Sequence, residues 1–241
     1  MNIFTFKTEE DFVQTGANLI ASLVQSKSNA ILGLATGSSP IGIYTRLAEM
    51  NKKGLVSFSQ VSAYNLDEYV GISGDHSQSY KTFMKENLFN HIDIDLQNTH
   101  IPNTNAADLD AECKAYDLAL EQNGPVDIQI LGIGSNGHIG FNEPDDHLYG
   151  GTHVIDLLEE TLEANARFFD SLDEVPKQAI TMGVASIMKA RQILFIARGA
   201  SKAEAVKAAL QGPITTQCPA SLLQCHPNVI VLLDEEAGSL L

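Results

Sequence analysis

The feature that most constrains this chain is a repeated unit. A short apolar run ends in small or polar residues, and a stretch with helical period follows. Ala30–Ala35 (AILGLA) runs into Thr36-Gly37-Ser38-Ser39-Pro40, and then Ile41, Tyr44, Leu47, Ala48 and Met50 repeat at helical spacing. Val126–Leu131 runs into a loop with four glycines, at 132, 134, 137 and 140. Ile193–Ala197 (ILFIA) runs into Arg198-Gly199-Ala200-Ser201-Lys202 and a helical stretch Ala203–Gln211, stopped by Gly212-Pro213. Asn228–Leu233 (NVIVLL) is a last such run, ending in Asp234-Glu235-Glu236. Runs this short and this apolar suit strands buried on both faces, as in parallel sheets covered by helices. The expected fold is therefore α/β: a three-layer, mostly parallel, Rossmann-like sheet in one domain over residues 1–241.

Weaker elements fill in the pattern. Asn2–Phe6 reads as a strand, followed by a helix that Thr8 caps and that carries acids in its first turn. Val61–Leu66 reads as a strand ending in Asp67-Glu68-Tyr69, and Phe83, Met84, Leu88 and Phe89 as a helix. Ile101-Pro102-Asn103 reads as extended, Asp108–Gln122 as a helix, and Gly183–Ala190 as a helix. Segment 145–180 has the least regular pattern and is the candidate lid.

Composition narrows the function classes. A formal net charge of −15 with no basic stripe argues against nucleic acid and anionic membrane surfaces as partners. No apolar run approaches the ~18 residues of a membrane span, and the start MNIFTFKTEEDF has no signal-peptide pattern. Three cysteines, Cys113, Cys218 and Cys225, read as reduced thiols of a cytoplasmic protein. Cys218, Cys225 and His226 are too widely spaced for a zinc pattern, and the loop after Ala30–Ala35 is neither a GK[ST] nor a GxGxxG loop. No metal or cofactor is expected.

In a parallel sheet the carboxyl ends of the strands share one edge. Polar groups gather at four such ends: 36–39, 67–68, 134–143 and 198–202. Thr36, Gly37, Ser38 and Ser39 precede a helix N-terminus, where unpaired N–H groups favour an anion. Lys202 stands where the helix dipole disfavours a cation, so its position asks for another reason. Asp67 and Glu68 form an adjacent carboxylate pair suited to proton chemistry, or to capping a helix. The stretch Leu131–Pro144, LGIGSNGHIGFNEP, places Asn136, His138, Asn142 and Glu143 together. His138 can exchange protons near neutral pH, and Glu143 can orient it. The inventory fits acid–base work on a small phosphorylated molecule. Sugar phosphate isomerisation and lactone hydrolysis both remain open on these grounds.

The motifs carry a resemblance. LGIGSNGHIGFNEP at 131–144 is similar to the signature of the glucosamine-6-phosphate deaminases (isomerising), and LATGSSPIGIY at 34–44, NLDEYVG at 65–71, ARFF at 166–169 and SKA at 201–203 follow that family's order and spacing. The resemblance spans about Ile31 to Asp234. It implies conversion of glucosamine 6-phosphate and water to fructose 6-phosphate and ammonia, in amino sugar (N-acetylglucosamine) catabolism. It assigns ring opening to His138 with Glu143 and Asn136, and the carbon-acid proton transfer to Asp67. The phosphate falls to Thr36–Ser39, Arg167 and Lys202. The glycines of 131–144 would let the backbone turn sharply and pass close to the sugar.

Two departures stand out. Many members have Asp at the position of Asn136, which here is given an orienting role. Larger hexameric members, activated by N-acetylglucosamine 6-phosphate, are longer at the C-terminus and carry basic residues after the NEP motif. Here that segment offers His153 and Ile155, so the shorter, non-allosteric and monomeric type is expected. The competing readings are 6-phosphogluconolactonase, disfavoured by FNEP and by the Asp67-Glu68 pair, and a non-catalytic sugar-phosphate regulator, for which the chain has no evident partner-binding segment.

Overall fold

Each apolar run becomes a strand of one sheet in the computed structural model, which describes residues 1–158, 162, 169 and 174–241. The first strand β1 is Asn2–Phe6, followed by helix α1, Glu9–Ser26, whose Thr8 cap accepts from Asp11 N–H at 3.1 Å. Next come β2 (Ile31–Leu34), helix α2 (Ile41–Lys52), β3 (Ser62–Asn65), β4 (Asp67–Tyr69) and helix α3 (Tyr80–Asn87). Then follow β5 (Thr99–His100), helix α4 (Leu109–Asn123), β6 (Ile128–Leu131), β7 (His153–Asp156) and β8 (Gln178–Thr181). A short helix Val184–Met188, β9 (Ile193–Ala197), a helix Ala203–Gln211 and β10 (Val229–Asp234) complete the order.

The main sheet has seven strands in the order β1-β10-β9-β6-β2-β3-β5, and every pair in it is parallel. From β2 the chain first winds outward through β3 to β5. It then returns to β6 on the other side of β2 and winds through β9 to β10. The direction reverses between β2 and β6, so a crevice opens there outside their carboxyl ends, the usual ligand position in such sheets. The loops after these two strands are 35–40 and 132–143. The sequence therefore puts the Thr36-Gly37-Ser38-Ser39 loop and the glycine-rich histidine loop on either side of the switch point.

The core supports that position. Leu34, Ile128, Ile130, Leu131, Leu194, Phe195, Ile196, Val231 and Leu232 are buried in one continuous cluster with Phe12, Ile20, Ile43, Tyr44 and Leu47 from α1 and α2. Burying a side chain of this kind contributes ~1.5–3 kcal/mol, which fixes the strand ends firmly.

A second sheet was not anticipated from the sequence. β4, β8 and β7 form a three-stranded antiparallel sheet in the order β4-β8-β7, with Asp67 opposite Thr181 and Val154 opposite Ile180. Asp67 and Glu68 therefore lie within a strand rather than just past one. The turn back from β3 into β4 happens across Leu66, whose backbone N–H reaches Leu34 O and whose O accepts from Met182 N–H at 2.7 Å. Within the candidate lid, 145–180, β7 and most of β8 belong to this small sheet. Arg167, with Ala166 and Phe168, lies outside the described residues. The extended piece expected at Ile101–Asn103 is found two residues earlier, at Thr99–His100.

Candidate active site

The loop after β6 folds on itself. Gly134 N–H donates to His138 O at 3.0 Å, and Gly137 N–H to Gly134 O at 3.1 Å, with Gly137 in the left-handed region at φ +91°. Asn136 then works in both directions. Its Oδ1 accepts from His138 N–H at 3.1 Å, and its Nδ2 donates to Glu143 Oε2 at 2.7 Å. The same Oε2 lies 3.0 Å from His138 Nδ1. A carboxylate oxygen accepts, so Nδ1 carries the proton and exchange with a substrate falls to Nε2. Asn at 136 suits this arrangement, because an ionised Asp there would face a second carboxylate without a donor between them. Glu143 is buried while the His138 ring is partly open.

The glycines of this loop do turn the backbone sharply, Gly137 at φ +91° and Gly140 at φ +57°, and Gly134 has a task the sequence does not suggest. A Cβ on Gly134 would lie 2.3–2.5 Å from three atoms of the His138 ring. Glycine at 134 lets the imidazole fold over the backbone. Gly140, at φ +57°, has Thr181 Oγ1 at 3.0 Å and Asp67 Oδ2 at 3.4 Å from the place its Cβ would occupy. The Asp67 carboxyl thus faces Gly140 of the histidine loop.

Asp67 and Glu68 part company. Adjacent residues of a strand point to opposite faces. Glu68 turns to the N-terminus of α3, where Oε1 accepts from Tyr80 N–H and from its neighbour Tyr69 N–H, both at 2.9 Å, and Oε2 from Lys81 N–H at 3.0 Å. It caps a helix twelve residues away, an interaction with no local sequence signal. Its pKa is nevertheless raised, because burial outweighs those bonds and the Lys81 charge. Asp67 is buried facing the other way. Desolvation, and then the Glu68 charge, push its pKa up to about 8. A carboxyl near that value can both take and return a proton at neutral pH.

The loop after β2 lies across the switch point. Gly37, at φ +92°, and Ser38 are exposed, while Thr36 and Ser39 are half-buried. No side chain caps α2, and the residue preceding it is Pro40. Thr36 hydrogen-bonds Tyr80 through their side chains, and Tyr80 Oη donates to Tyr69 Oη at 3.2 Å. Lys202 closes the 3₁₀ turn Ala200–Lys202 after β9 and is half-buried. β9 and β2 are the two neighbours of β6, so these loops flank the histidine loop about 10 Å apart at the usual strand spacing. The other cation at this strand end, Arg198, is directed away. It pairs with Glu9 at 2.9 Å and lies over the Phe12 ring. His226 is a structural histidine between Ala190 O and Asn228 O. Cys113 and Cys218 are buried, and Cys225 is exposed.

The structure therefore joins Asn136, His138 and Glu143 in one cluster, turns Asp67 towards Gly140 of the same loop, and sets 36–39 and Lys202 on the flanking strand ends. Sequence reasoning allowed the carboxylate pair to cap a helix, but not that Glu68 alone would cap one twelve residues away. It also missed Thr181, which has no motif of its own and becomes visible only through strand pairing.

Comparison with known proteins agrees with this geometry. The profile of the family described as glucosamine-6-phosphate isomerases/6-phosphogluconolactonase matches residues 7–231. The glucosamine-6-phosphate deaminase of Clostridium perfringens is 52% identical over 241 residues, covering 100% of both chains. That of Thermoanaerobacter pseudethanolicus is 50% identical over 100% of this chain and 95% of its own. The solved structure of a monomeric glucosamine-6-phosphate deaminase, described as a missing link of the NagB superfamily, superposes with a TM-score of 0.97 at 45% identity over 100% of both chains. A 6-phosphogluconolactonase from Thermotoga maritima shares the fold, with a TM-score of 0.75 at 19% identity over 97% of this chain and 99% of its own. On these matches, which run almost from end to end, the chain is an enzyme that belongs to the glucosamine-6-phosphate isomerase/6-phosphogluconolactonase family.

Proposed function

We propose that the protein is a glucosamine-6-phosphate deaminase, converting glucosamine 6-phosphate and water to fructose 6-phosphate and ammonia. The observation that carries this reading is the presence of two proton-handling centres on neighbouring elements. One is the His138–Glu143 pair, and the other is the buried Asp67 carboxyl beside Gly140. Lactone hydrolysis needs one base acting on one water. An aldose–ketose conversion needs one group for ring opening and a second for carbon-bound hydrogen.

In this reading His138 Nε2 takes the proton of the sugar's anomeric hydroxyl and gives one to the ring oxygen, opening the pyranose. Glu143 stabilises the imidazolium formed on the way, and Asn136 holds both partners in register. Asp67 then removes the hydrogen at C2 and returns it to C1. The amine-bearing C2 becomes an iminium, water adds to it, and ammonia departs. Every step is a proton transfer or the addition and loss of a neutral molecule, so no cofactor or metal is required. Thr36, Gly37, Ser38 and Ser39 would hold the phosphate with Lys202 and Arg167. An arginine can contact a phosphate through two N–H groups at once. The ~1.5–2 negative charges of the phosphate would give Lys202, set where the helix dipole disfavours a cation, its reason in a chain of net charge −15.

The finer assignments belong to the same proposal. The protein acts as a monomeric, non-allosteric hydrolase of the cytoplasm in N-acetylglucosamine breakdown, with segment 145–180 as its candidate lid. Among the described residues no helix is long and apolar enough to cross a membrane. The purified protein, given glucosamine 6-phosphate, should release ammonia and fructose 6-phosphate in equal amounts along a hyperbolic rate curve. Hydrolysis of 6-phosphogluconolactone without ammonia release from the amino sugar would overturn the assignment. A sigmoidal curve straightened by N-acetylglucosamine 6-phosphate would overturn the non-allosteric part alone.

A further inference from the structure

The two proton-handling centres sit on different elements. His138 and Glu143 belong to the loop after β6, and Asp67 belongs to the small antiparallel sheet. Something must set the distance between them, and the contacts converge on β8. Thr181 lies directly across the strand pair from Asp67 and is completely buried. Its Oγ1 accepts from Phe141 N–H at 3.0 Å, inside the histidine loop. The neighbouring Met182 is held from both sides. Its N–H reaches Leu66 O, next to Asp67, at 2.7 Å, and its O accepts from Asn142 Nδ2 at 2.9 Å. Asn142 Nδ2 also donates to Ile139 O at 2.9 Å, which closes the turn that bears Gly140 and delivers Glu143. Thr181 Oγ1 and Asp67 Oδ2 converge on Gly140, at 3.0 and 3.4 Å from the position a Cβ there would occupy.

We propose that Thr181 is a positioning residue whose hydroxyl, by holding the Phe141 N–H, fixes the Asp67 carboxyl at its working distance from His138 and Glu143. Asn142 is the second half of the same clamp, through Met182. This rests on the deaminase reading and deepens it. Thr181 touches neither the reacting atoms nor the phosphate loop, so its loss leaves substrate binding in place. It degrades the relative placement of two groups that act on adjacent carbons of one substrate, to which catalysis is steeply sensitive.

The test compares Thr181→Val with Thr181→Ser, which separates the hydroxyl from the shape of the side chain. Thr181→Val should lower kcat about 10- to 100-fold, with KM for glucosamine 6-phosphate within about twofold of the native value, the pattern of an interaction that matters in the transition state. Thr181→Ser should recover kcat to within about threefold. If Thr181→Val does not fold, Gly140→Ala drives the two groups apart from the other side and should show the same split between kcat and KM. Full activity of Thr181→Val overturns the proposal. Equal impairment of the Val and Ser variants also overturns it, because packing rather than the hydroxyl would then be at work. A native protein that releases no ammonia defeats the deaminase reading itself. Native activity abolished by Asp67→Asn but untouched by Thr181→Val defeats only the clamp.

Discussion

The two sheets divide the work of the site. The seven-stranded parallel sheet supplies places: its switch point between β2 and β6 puts the 35–40 loop and the histidine loop at one crevice, with Lys202 on the next strand along. Those positions follow from topology and are supported by a large continuous core. The three-stranded antiparallel sheet supplies a relation. It carries Asp67 back under the histidine loop and has its own small cluster of Tyr69, Ile72, Phe141, Leu157 and Ala179. One sheet is built for stability. The other holds a carboxyl group at a cost to stability, because Asp67 is buried and its pKa is raised to about 8.

Removing that carboxyl should have the largest effect. Asp67→Asn keeps the shape and the burial but cannot accept a proton. Turnover should fall by at least ~10³–10⁴, near the upper end for a positioned acid–base group, with affinity for the sugar phosphate nearly unchanged. Stability should move the other way. The folded pKa lies above the unfolded value, so the folded state holds the proton more tightly. The stability this contributes is complete below about pH 4 and is lost as pH rises through about 8. The variant escapes that loss. Its unfolding free energy should exceed the native one at pH 8.5, by on the order of 1–3 kcal/mol and with a higher melting temperature, and the gap should shrink towards pH 5. Thermal melts at the two pH values, set beside single-turnover rates, check both halves. A variant less stable than the native protein at pH 8.5 would show that Asp67 is not the strained element of the small sheet.

The histidine side should prove less absolute but similarly intolerant of volume. Gly134→Ala inserts a methyl group where the ring now lies, 2.3–2.5 Å from three of its atoms. The imidazole must move, and the 3.0 Å bond from Nδ1 to Glu143 must break or lengthen. A drop in kcat of roughly 10²-fold is expected, with little change in melting temperature, since the ring is partly exposed and can swing outward. Steady-state kinetics with a crystal structure of the variant would decide. Native activity with an unmoved ring would mean that the loop has slack.

Much of the parallel sheet was legible because its signals are local. Ile193–Ala197 and Ala203–Gln211 are found where periodicity places them, and β2, β6 and β10 differ from their apolar runs by a residue or two. Asn136, His138 and Glu143 lie within eight residues, so their contact could be foreseen from the chain. The antiparallel sheet was not legible. β4 has three residues and β7 and β8 have four each, and what makes them a sheet is pairing across more than a hundred residues of chain. For the same reason the adjacent pair Asp67-Glu68 looked like one chemical unit. Only the alternation of a strand, itself hidden in the sequence, sends the two carboxyls to different tasks.

That separation can be probed with the smallest of the changes. Glu68→Gln keeps an acceptor for Tyr69 and Tyr80 N–H but sets an amide N–H₂ against Lys81 N–H, so α3 loses part of its cap. The loss of about 1 kcal/mol should lower the melting temperature by ~2–4 °C. The chemistry should respond through charge alone. Asp67 must be ionised to act as a base, so kcat/KM of the native enzyme should rise with pH through about 8. Burial is the first cause of that value and survives the substitution, whereas the Glu68 charge is the second and does not. The rising limb should therefore move towards acid by less than burial alone contributes, and activity at pH 7 should hold steady or increase slightly. A pH profile of kcat/KM reads this directly. An abolished reaction would mean that Glu68 is part of the chemistry after all. A limb shifted to acid with turnover intact would leave one carboxylate as the base and its neighbour as the cap that holds α3, and through Tyr80 the Thr36 loop, in place.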